Sequence, residues 1–540
     1  MLQVFNTDCF VLNQNSCKTN LSEVADKRQI ETRSIKTHRG MIYDRNGEIL
    51  AMSLPKKTLC INAYQVSKIE KKDLKKYYQL NKIINVSNDK FLKILKNNKN
   101  KKELYLKRKV DDEIATKISK LKLPYVYFIE EFHRVYLGGN YFSNVIGFTD
   151  IDDKGQEGIE YAKNDQLMSI GGLKKVRKDN LGRSIETIEL IKKPVPGKNI
   201  YLSLDKKVQL IGYNILKEYV KKDKAESASL ILIKNKTGEI ISMVNYPSFN
   251  PENRTEMHGL NIKNRAVTES FEPGSTIKPF TIYTALKDKE FNKKSIIDTS
   301  PGILKIGKYE IKDHKYLGKL TLEEIIQQSS NVGAALVALK TSKRSIHNTL
   351  QELNFGETLY MGLPGEQSGK LSHHSSWDES QHASMGYGYG LSTTLLHLAN
   401  AYTILANHGK KIQLTYEKQK PNEIFFDNGL NKKLSKEIVN MMTMVVETKK
   451  GTGKKAKLQK YTVAGKTGTV RINIGGNYKK NRHLALFVGI VPASNPEYVV
   501  AVIVRNPRKG QAYGGKNAAP IFKKFMDHSL NLLKVYPDKK

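Results

Sequence analysis

A chain of 540 residues is too long for one small core and points to two or three domains. With 39% hydrophobic and 26% charged residues it has the balance of a folded chain, not of a polytopic membrane protein. The net charge of +37 invites a nucleic-acid reading, but the excess is mostly Lys spread along the chain beside abundant Asn and Ile. No zinc-finger spacing, aromatic RNA-binding motif or basic heptad accompanies it, so nucleic acid is set aside as a partner, while attraction to an anionic membrane surface stays open.

The first 38 residues are mostly polar; only the opening "MLQVF" is apolar, which is neither a signal peptide nor an anchor. No stretch reaches the roughly 18 apolar residues that span a bilayer, and "HLALFVGIVPA" (483–493) reads as a buried strand. Cys9, Cys17 and Cys60 form an odd, sparse set with neither disulfide nor metal spacing. In "RGMIYDRNGEILA" (39–51) Asp44, Asn46 and Gly47 supply turn chemistry between two strand-like pieces. Lys-rich helical patterns and short strands alternate over 52–135, with "LKLPYVYFIEE" (121–131) a strand by its β-branched and aromatic residues. "KKPVPGKNI" (192–200) reads as a linker. Beyond it, "ASLILIKNKTGEIISMV" (228–244) is a predicted hairpin turning at Lys236-Thr237-Gly238. Helical patterns dominate from about 275 to 410, and strand-like runs return after 460 as "YTVAGKTGTV", "LALFVGIV" and "EYVVAVIVRN". The order strand, helices, strands predicts an α+β domain, a sheet with helical layers, over 196–540. It follows an elongated α/β domain over 39–195 and a segment 1–38.

Three short motifs carry chemistry. In "FEPGSTIKPF" (271–280), Ser275 and Lys278 share a helix face. Pro279 is tolerated only in a first turn, so Ser275 is expected at a helix N-terminus. That end stabilises negative charge on the serine oxygen and disfavours the ammonium form of the lysine. In "QQSSNVG", Ser329 and Asn331 put a hydroxyl and an amide at i and i+2 in an expected inter-helix loop. In "VAGKTGTV", Lys466 offers a fixed charge and Thr467 and Thr469 offer hydroxyls. Gly468 leaves room for an extended peptide to add to a sheet edge. Each motif alone is weak: Ser-x-x-Lys arises by chance about several times in a chain this long, Ser-x-Asn favours caps and turns anyway, and a glycine in a strand is commonplace. "KKGTGKK" (449–455) lacks the spacing of a phosphate loop and reads as a flexible loop. His373-His374 reads as loop surface, and Met441, Met442 and Met444 as core filling.

Together the motifs say more. They run in the order Ser-x-x-Lys, Ser-x-Asn, Lys-Thr-Gly, with 54 residues from Ser275 to Ser329 and 137 from Ser329 to Lys466. This is the ordered set of penicillin-binding proteins and β-lactamases, with Ser330 in the middle position where Asp is also found. "RGMIYDRNGEILA", "GQEGIE" (155–160) and "VRKDNLGRSIE" (176–186) resemble the N-terminal pedestal signature of class B penicillin-binding proteins. "FEPGSTIKPF", "SSNVG" and "GYGLSTTLLHLANAY" (388–402) resemble their division-specific branch, the septal D,D-transpeptidases of penicillin-binding protein three type. The resemblance runs from about residue 39 to the C-terminus.

That resemblance implies a serine acyltransferase that cross-links peptidoglycan stem peptides ending in D-Ala-D-Ala at the division septum and is inhibited by β-lactams. Catalysis falls to Ser275, Lys278, Ser329 and Lys466, and substrate binding to Asn331, Thr467, Gly468 and Thr469. It implies no metal and no organic cofactor. The implied location is the inner membrane with the catalytic domain on the periplasmic side, among division proteins that include a septal glycosyltransferase. A D,D-carboxypeptidase or β-lactamase-type hydrolase and an inactive division scaffold are the alternatives. Two departures stand out. The family usually has Thr-Pro-Leu-Gln where this chain has Thr394-Leu395-Leu396-His397, which predicts local repacking with activity retained. The family also begins with a membrane helix, whereas "MLQVF" resembles residues just after it, so the anchor is expected upstream or lost.

Overall fold

Strand pairing in the first domain starts at the predicted turn, where Asp44 Oδ1 accepts the amides of Asn46 and Glu48 at 2.7 and 2.9 Å. The turn joins β1 (Ile42–Tyr43) to the long β2 (Ile49–Ile61). The computed structural model describes residues 30–539 apart from 179–183, 254, 256, 258, 421–423, 425 and 475–476. Cys9, Cys17 and most of the segment 1–38 lie outside the described residues. One edge of β2 pairs with β1 and then with β3 (Leu104–Val110), the other with β4 (Val126–Tyr136), all antiparallel. The strand expected at 121–131 thus starts later. Leu121 closes the helix Asp112–Lys120, and Lys122 and Tyr125 take positive φ before the chain extends. A second, three-stranded sheet is formed by Ile30–Ile35, Gly172–Lys178 and Ser184–Lys192.

Two stretches of the pedestal signature meet in one buried ion cluster. Glu160 is fully buried and accepts from Arg39 Nε on one carboxylate oxygen (2.6 Å) and from Arg134 Nε on the other (2.7 Å). Arg39 also donates to the carbonyls of Glu160 and Asp153 and to Asn164 Oδ1. Arg39 belongs to the Arg-Gly that opens the first signature and Glu160 ends "GQEGIE", so the signatures name the two ends of one interaction.

The expected linker is structured. Val195 and Ile170 exchange both backbone hydrogen bonds at 2.8 Å, and Gly197 and Lys198 donate to His38 and Gln166. The chain then enters β5 (Ile200–Tyr201), parallel to β1. Asp205 caps helix α1 (Lys206–Lys222) by accepting from Lys207 and Val208, and Asp44 Oδ2 accepts from Lys206 N. The first turn of the pedestal therefore holds the first helix of the second domain.

The second domain is built on a five-stranded antiparallel sheet. β6 (Ser227–Lys234) and β7 (Ile240–Tyr246) form the predicted hairpin. Helices α2 (Lys278–Lys287), α3 (Leu322–Gln328), α4 (Asn331–Lys340), α5 (Leu395–Ala406) and α6 (Lys432–Glu447) follow. The returning strands are β8 (Ala464–Ile474), β9 (Asn477–Val491) and β10 (Tyr498–Arg505), and α7 (Ala519–Leu532) ends the domain. The strand order is β7-β6-β10-β9-β8, which leaves β8 at an edge. β6 is buried along nearly its whole length, as a strand covered on both faces must be. α1 and α7 pack together on the sheet, as do α5 and α6. All twelve residues of α5 are buried, the property of a helix apolar on every side.

At the Thr394-Leu395-Leu396-His397 departure, Thr394 Oγ1 caps α5 by accepting from His397 N. The buried His397 ring lies 2.6 Å from the Glu357 carbonyl through Nε2 and 2.8 Å from Thr394 Oγ1 through Nδ1. A carbonyl can only accept, so Nε2 carries the proton and Nδ1 receives the threonine hydroxyl. Burial holds this imidazole below its ordinary range, hence neutral. Both ring nitrogens of the histidine are thus satisfied within the segment.

Glu160→Ala leaves two guanidinium groups facing a buried gap, and removing one partner of such a cluster costs about 3–5 kcal/mol. Urea denaturation followed by circular dichroism is expected to show a loss of that size in the first domain. An unchanged midpoint would show that the cluster does not hold it together.

Candidate active site

Ser275 stands where the sequence places it. A 3-10 turn, Gly274–Ile277, leads into α2, with Pro279 in the first helical turn. Gly274 takes φ +53° and donates to the Gly388 carbonyl at 2.9 Å. A Cβ on Gly274 would lie 2.6 Å from Val470 Cγ2, and one on Gly388 2.0 Å from Gly274 O, so neither position admits a side chain. Ser275 is half-buried, and among the described residues no side-chain hydrogen bond engages its Oγ.

The Ser329–Asn331 loop lies between α3 and α4, as expected. Ser329 ends α3 in the left-handed conformation, φ 62° and ψ 40°, which strains a residue with a Cβ and is typical of functional positions. Ser330 caps α4: its Oγ accepts from Gly333 N and donates to Asp313 Oδ2 at 2.6 Å. Asp313 Oδ1 accepts the amides of Asn331 and Val332. A carboxylate thus sits on the N-terminus of α4, where the helix dipole favours it.

Sequence reasoning missed Asp313. It follows the strand Tyr309–Lys312 of a small hairpin with Ile303–Ile306, inside a region read as helical. No motif marks it, because its role depends on the hairpin folding back onto α4.

Two buried lysines converge on Ser329. Lys278 Nζ lies 2.6 Å from Ser329 O, 2.8 Å from Asn331 Oδ1 and 3.3 Å from Ser329 Oγ. Lys466 Nζ lies 2.9 Å from Ser329 Oγ and 3.1 Å from Thr467 O. Both lysines are completely buried. Burial pushes Lys466 down to about 7. Burial, and then the Lys466 charge, push Lys278 well below the ordinary lysine range against the opposing pull of Asp313. As a neutral amine, Lys278 has two N–H groups for the two carbonyl-type oxygens and a lone pair left for a hydroxyl proton. Asn331 therefore holds Lys278, with its Nδ2 donating to Lys312 O.

β8 brings Lys466, Thr467, Gly468 and Thr469 to the sheet edge. Gly514 approaches so closely that a Cβ on it would lie 2.5 Å from Gly468 O, and its amide donates to Thr469 Oγ1 at 3.1 Å. That bond leaves the Thr469 proton free for a ligand. Thr467 Oγ1 lies 2.9 Å from Thr452 Oγ1, and Thr452 N donates to Gln327 O. The stretch "KKGTGKK", read from sequence as a flexible loop, is thus tied down, and Thr452 is a site residue that reading missed. Its two glycines were the available signal. A cleft of about 650 Å³ connects these groups and is lined by Ser275, Ser329, Asn331, Thr467 and Thr469, with His314, Tyr389, Arg471 and Tyr513 around them.

All eight residues singled out from sequence therefore meet in one place. The arrangement offers an exposed-side hydroxyl, two amines of depressed basicity joined by a second hydroxyl, and donors along a strand edge. That is equipment for attack on a carbonyl with proton relay to a leaving group.

Comparison with known proteins agrees with this geometry. Residues 228–527 match the family described as the penicillin binding protein transpeptidase domain, and residues 34–202 the penicillin-binding protein dimerisation domain. The chain is 37% identical over 522 residues to the peptidoglycan D,D-transpeptidase FtsI of Buchnera aphidicola from Schizaphis graminum, covering 96% of this chain and 90% of that one. It is 34% identical over 522 residues to FtsI of Escherichia coli K12, covering 96% and 87%. Among solved structures, a peptidoglycan synthetase from Bifidobacterium adolescentis superimposes with a TM-score of 0.75 at 23% identity, covering 95% of this chain and 98% of that one, which is a likeness of fold. The transpeptidase domain of Burkholderia pseudomallei penicillin-binding protein 3 gives a TM-score of 0.58 at 33% identity, covering 63% and 98%.

Lys466→Met keeps the bulk and removes the charge that presses on Lys278. The Lys278 proton is then held more tightly, so its titration midpoint is expected to move to higher pH. Nitrogen-15 NMR of the labelled lysine reads this directly, and an unmoved midpoint would show that the two amines do not interact.

Proposed function

This chain belongs to the penicillin-binding protein transpeptidase family and carries that family's dimerisation domain ahead of the catalytic one; from that premise we propose that Ser275, Lys278, Ser329 and Lys466 carry out its reaction, with Asn331, Thr467, Gly468 and Thr469 holding the substrate. The activity is that of a peptidoglycan D,D-transpeptidase, a serine acyltransferase of septal cell-wall synthesis. The family acts on peptidoglycan stem peptides and binds β-lactams. A hydrolase or an inactive scaffold is not favoured, since the relatives are named transpeptidases and the two lysines proposed to act lie within hydrogen-bond reach of Ser329.

In the proposed mechanism Ser275 Oγ attacks the carbonyl between the two terminal D-alanines and Lys278 takes its proton. Ser329 Oγ, between Lys278 and Lys466, passes a proton to the nitrogen of the departing D-alanine. The substrate chain lies along the β8 edge beside Gly468, its carboxylate on the hydroxyls of Thr467 and Thr469. The amides of Ser275 and Thr469 take the developing oxyanion, donors worth about 3–4 kcal/mol of barrier each. An amine of a neighbouring stem peptide then attacks the ester and gives the cross-link. The observation that supports this reading is the single hydroxyl of Ser329 held between two buried amines, one of which, Lys278, lies one turn beyond Ser275.

Because lipid-linked peptidoglycan precursors are presented outside the cytoplasm, the catalytic domain is placed on the periplasmic side of the inner membrane, among division proteins that include a septal glycosyltransferase. Among the described residues no helix is long and apolar enough to cross a membrane.

A fluorescent penicillin is expected to label the wild-type chain for minutes or longer and to leave a folded Ser275→Ala chain unlabelled. Rapid loss of label would indicate a hydrolase, and an unlabelled, folded wild type would indicate a scaffold.

A further inference from the structure

Transfer to an amine sets a proton problem that acylation does not. At neutral pH an aliphatic acceptor amine arrives as an ammonium, with a pKa near ~10. One proton must leave before the nitrogen has a lone pair, and a second must leave as the new amide bond forms. Lys278, neutral again once its proton has gone to the departing D-alanine, can accept the second. It returns that proton to Ser275 Oγ as the ester C–O bond breaks. None of the residues assigned above takes the first.

We propose that His314 is the base that takes this first proton, converting the bound acceptor ammonium to the attacking amine. His314 follows Asp313, whose carboxylate is tied to Ser330 Oγ and to the amides of Asn331 and Val332. The backbone carrying the imidazole is thereby fixed to the loop that holds Ser329. The ring is exposed on the same cleft as Ser275, Ser329 and Asn331, so it faces an incoming second substrate. Among the described residues no side-chain hydrogen bond engages it, which leaves a ring nitrogen free to accept.

Its charged surroundings come from three elements. Lys315 and Asp313 lie on its own loop, Lys278 on α2 and Lys466 on β8. Partial burial first, then Lys315, lower its affinity for a proton; Asp313 opposes this, and Lys278 and Lys466 add to it. The imidazole is therefore neutral at pH 7 and able to act as a base. His483, the other imidazole of the cleft, is paired across β8–β9 with Arg471, and Arg471 is the charge that bears on it.

The steps balance. The ammonium gives a proton to His314; the amine attacks the acyl carbon; its second proton passes to Lys278 and then to Ser275 Oγ as the ester opens. The imidazolium releases its proton to solvent at the cleft mouth.

This inference rests on the acyl-enzyme reading, and the test separates the two. The full chain and its His314→Gln variant are first labelled with fluorescent penicillin. Separate, unlabelled samples of each are acylated by a D-alanyl thioester donor, and transfer to D-alanine as the acceptor amine is followed by mass spectrometry. Labelling is expected to agree within about twofold, while transfer to the amine falls at least about tenfold at pH 7, the low end of what a general base supplies or below. The wild-type advantage should shrink about tenfold per pH unit above roughly 6.5, because the variant can use only the amine already free in solution. Titrations of Lys278 and Lys466 are common to both chains and cancel in the ratio. Unchanged transfer, or a deficit independent of pH, overturns the role of His314. An unlabelled wild type removes the acyl-enzyme, and both readings with it.

Discussion

Two lysines with no exposure to water share the hydroxyl of Ser329, and much of the second domain serves that constraint. Two ammonium groups this close and this dry are unfavourable, since each loses its hydration and repels the other. The site meets the constraint by depressing the basicity of both amines and by surrounding each with carbonyl and hydroxyl oxygens, so that a neutral form is satisfied. The same depression favours a neutral Lys278 amine with a lone pair, which is what its proposed role as base requires. Stability and chemistry thus ask for the same thing at this position.

The supporting parts follow. Ser329 must present both its carbonyl and its hydroxyl to Lys278, and it does so in a left-handed conformation that the end of α3 and the cap of α4 hold in place. Asp313 fixes that cap. Lys466 must reach in from the sheet, so β8 lies at the edge against the 3-10 turn that leads into α2, and the glycines at 274, 388, 468 and 514 permit the close contact of turn, strand and loop. The first domain solves a buried-charge problem in the opposite way. There the buried Glu160 lies between Arg39 and Arg134, and both of its oxygens are matched by guanidinium donors.

Much of this was legible in the sequence. The hairpin of β6 and β7, the returning strands β8 to β10 and the helix start at Ser275 follow from apolar runs and turn residues. These depend on neighbours within a few positions. The later start of β4, the pairing of the segment 192–200 and the small hairpins within 296–321 were not legible. Each is decided by what the chain packs against: Val195 reads as linker until Ile170 lies beside it. Thr452 and Asp313 were missed for the same reason, since a threonine between glycines and an aspartate after a strand mean nothing until the hydroxyl of Thr467 and the cap of α4 arrive.

By itself, the sequence determined the chemistry available: which hydroxyls, amines and amides exist, at what spacing, and that Ser275 and Lys278 stand one turn apart at the start of a helix. Helix geometry fixes that last relation locally. Tertiary structure alone decided that Lys466, 137 residues beyond Ser329, points at the same oxygen as Lys278, and that both lie out of reach of water. Burial is a property of the whole assembled domain, and it is burial that lowers the basicity of two otherwise ordinary lysines.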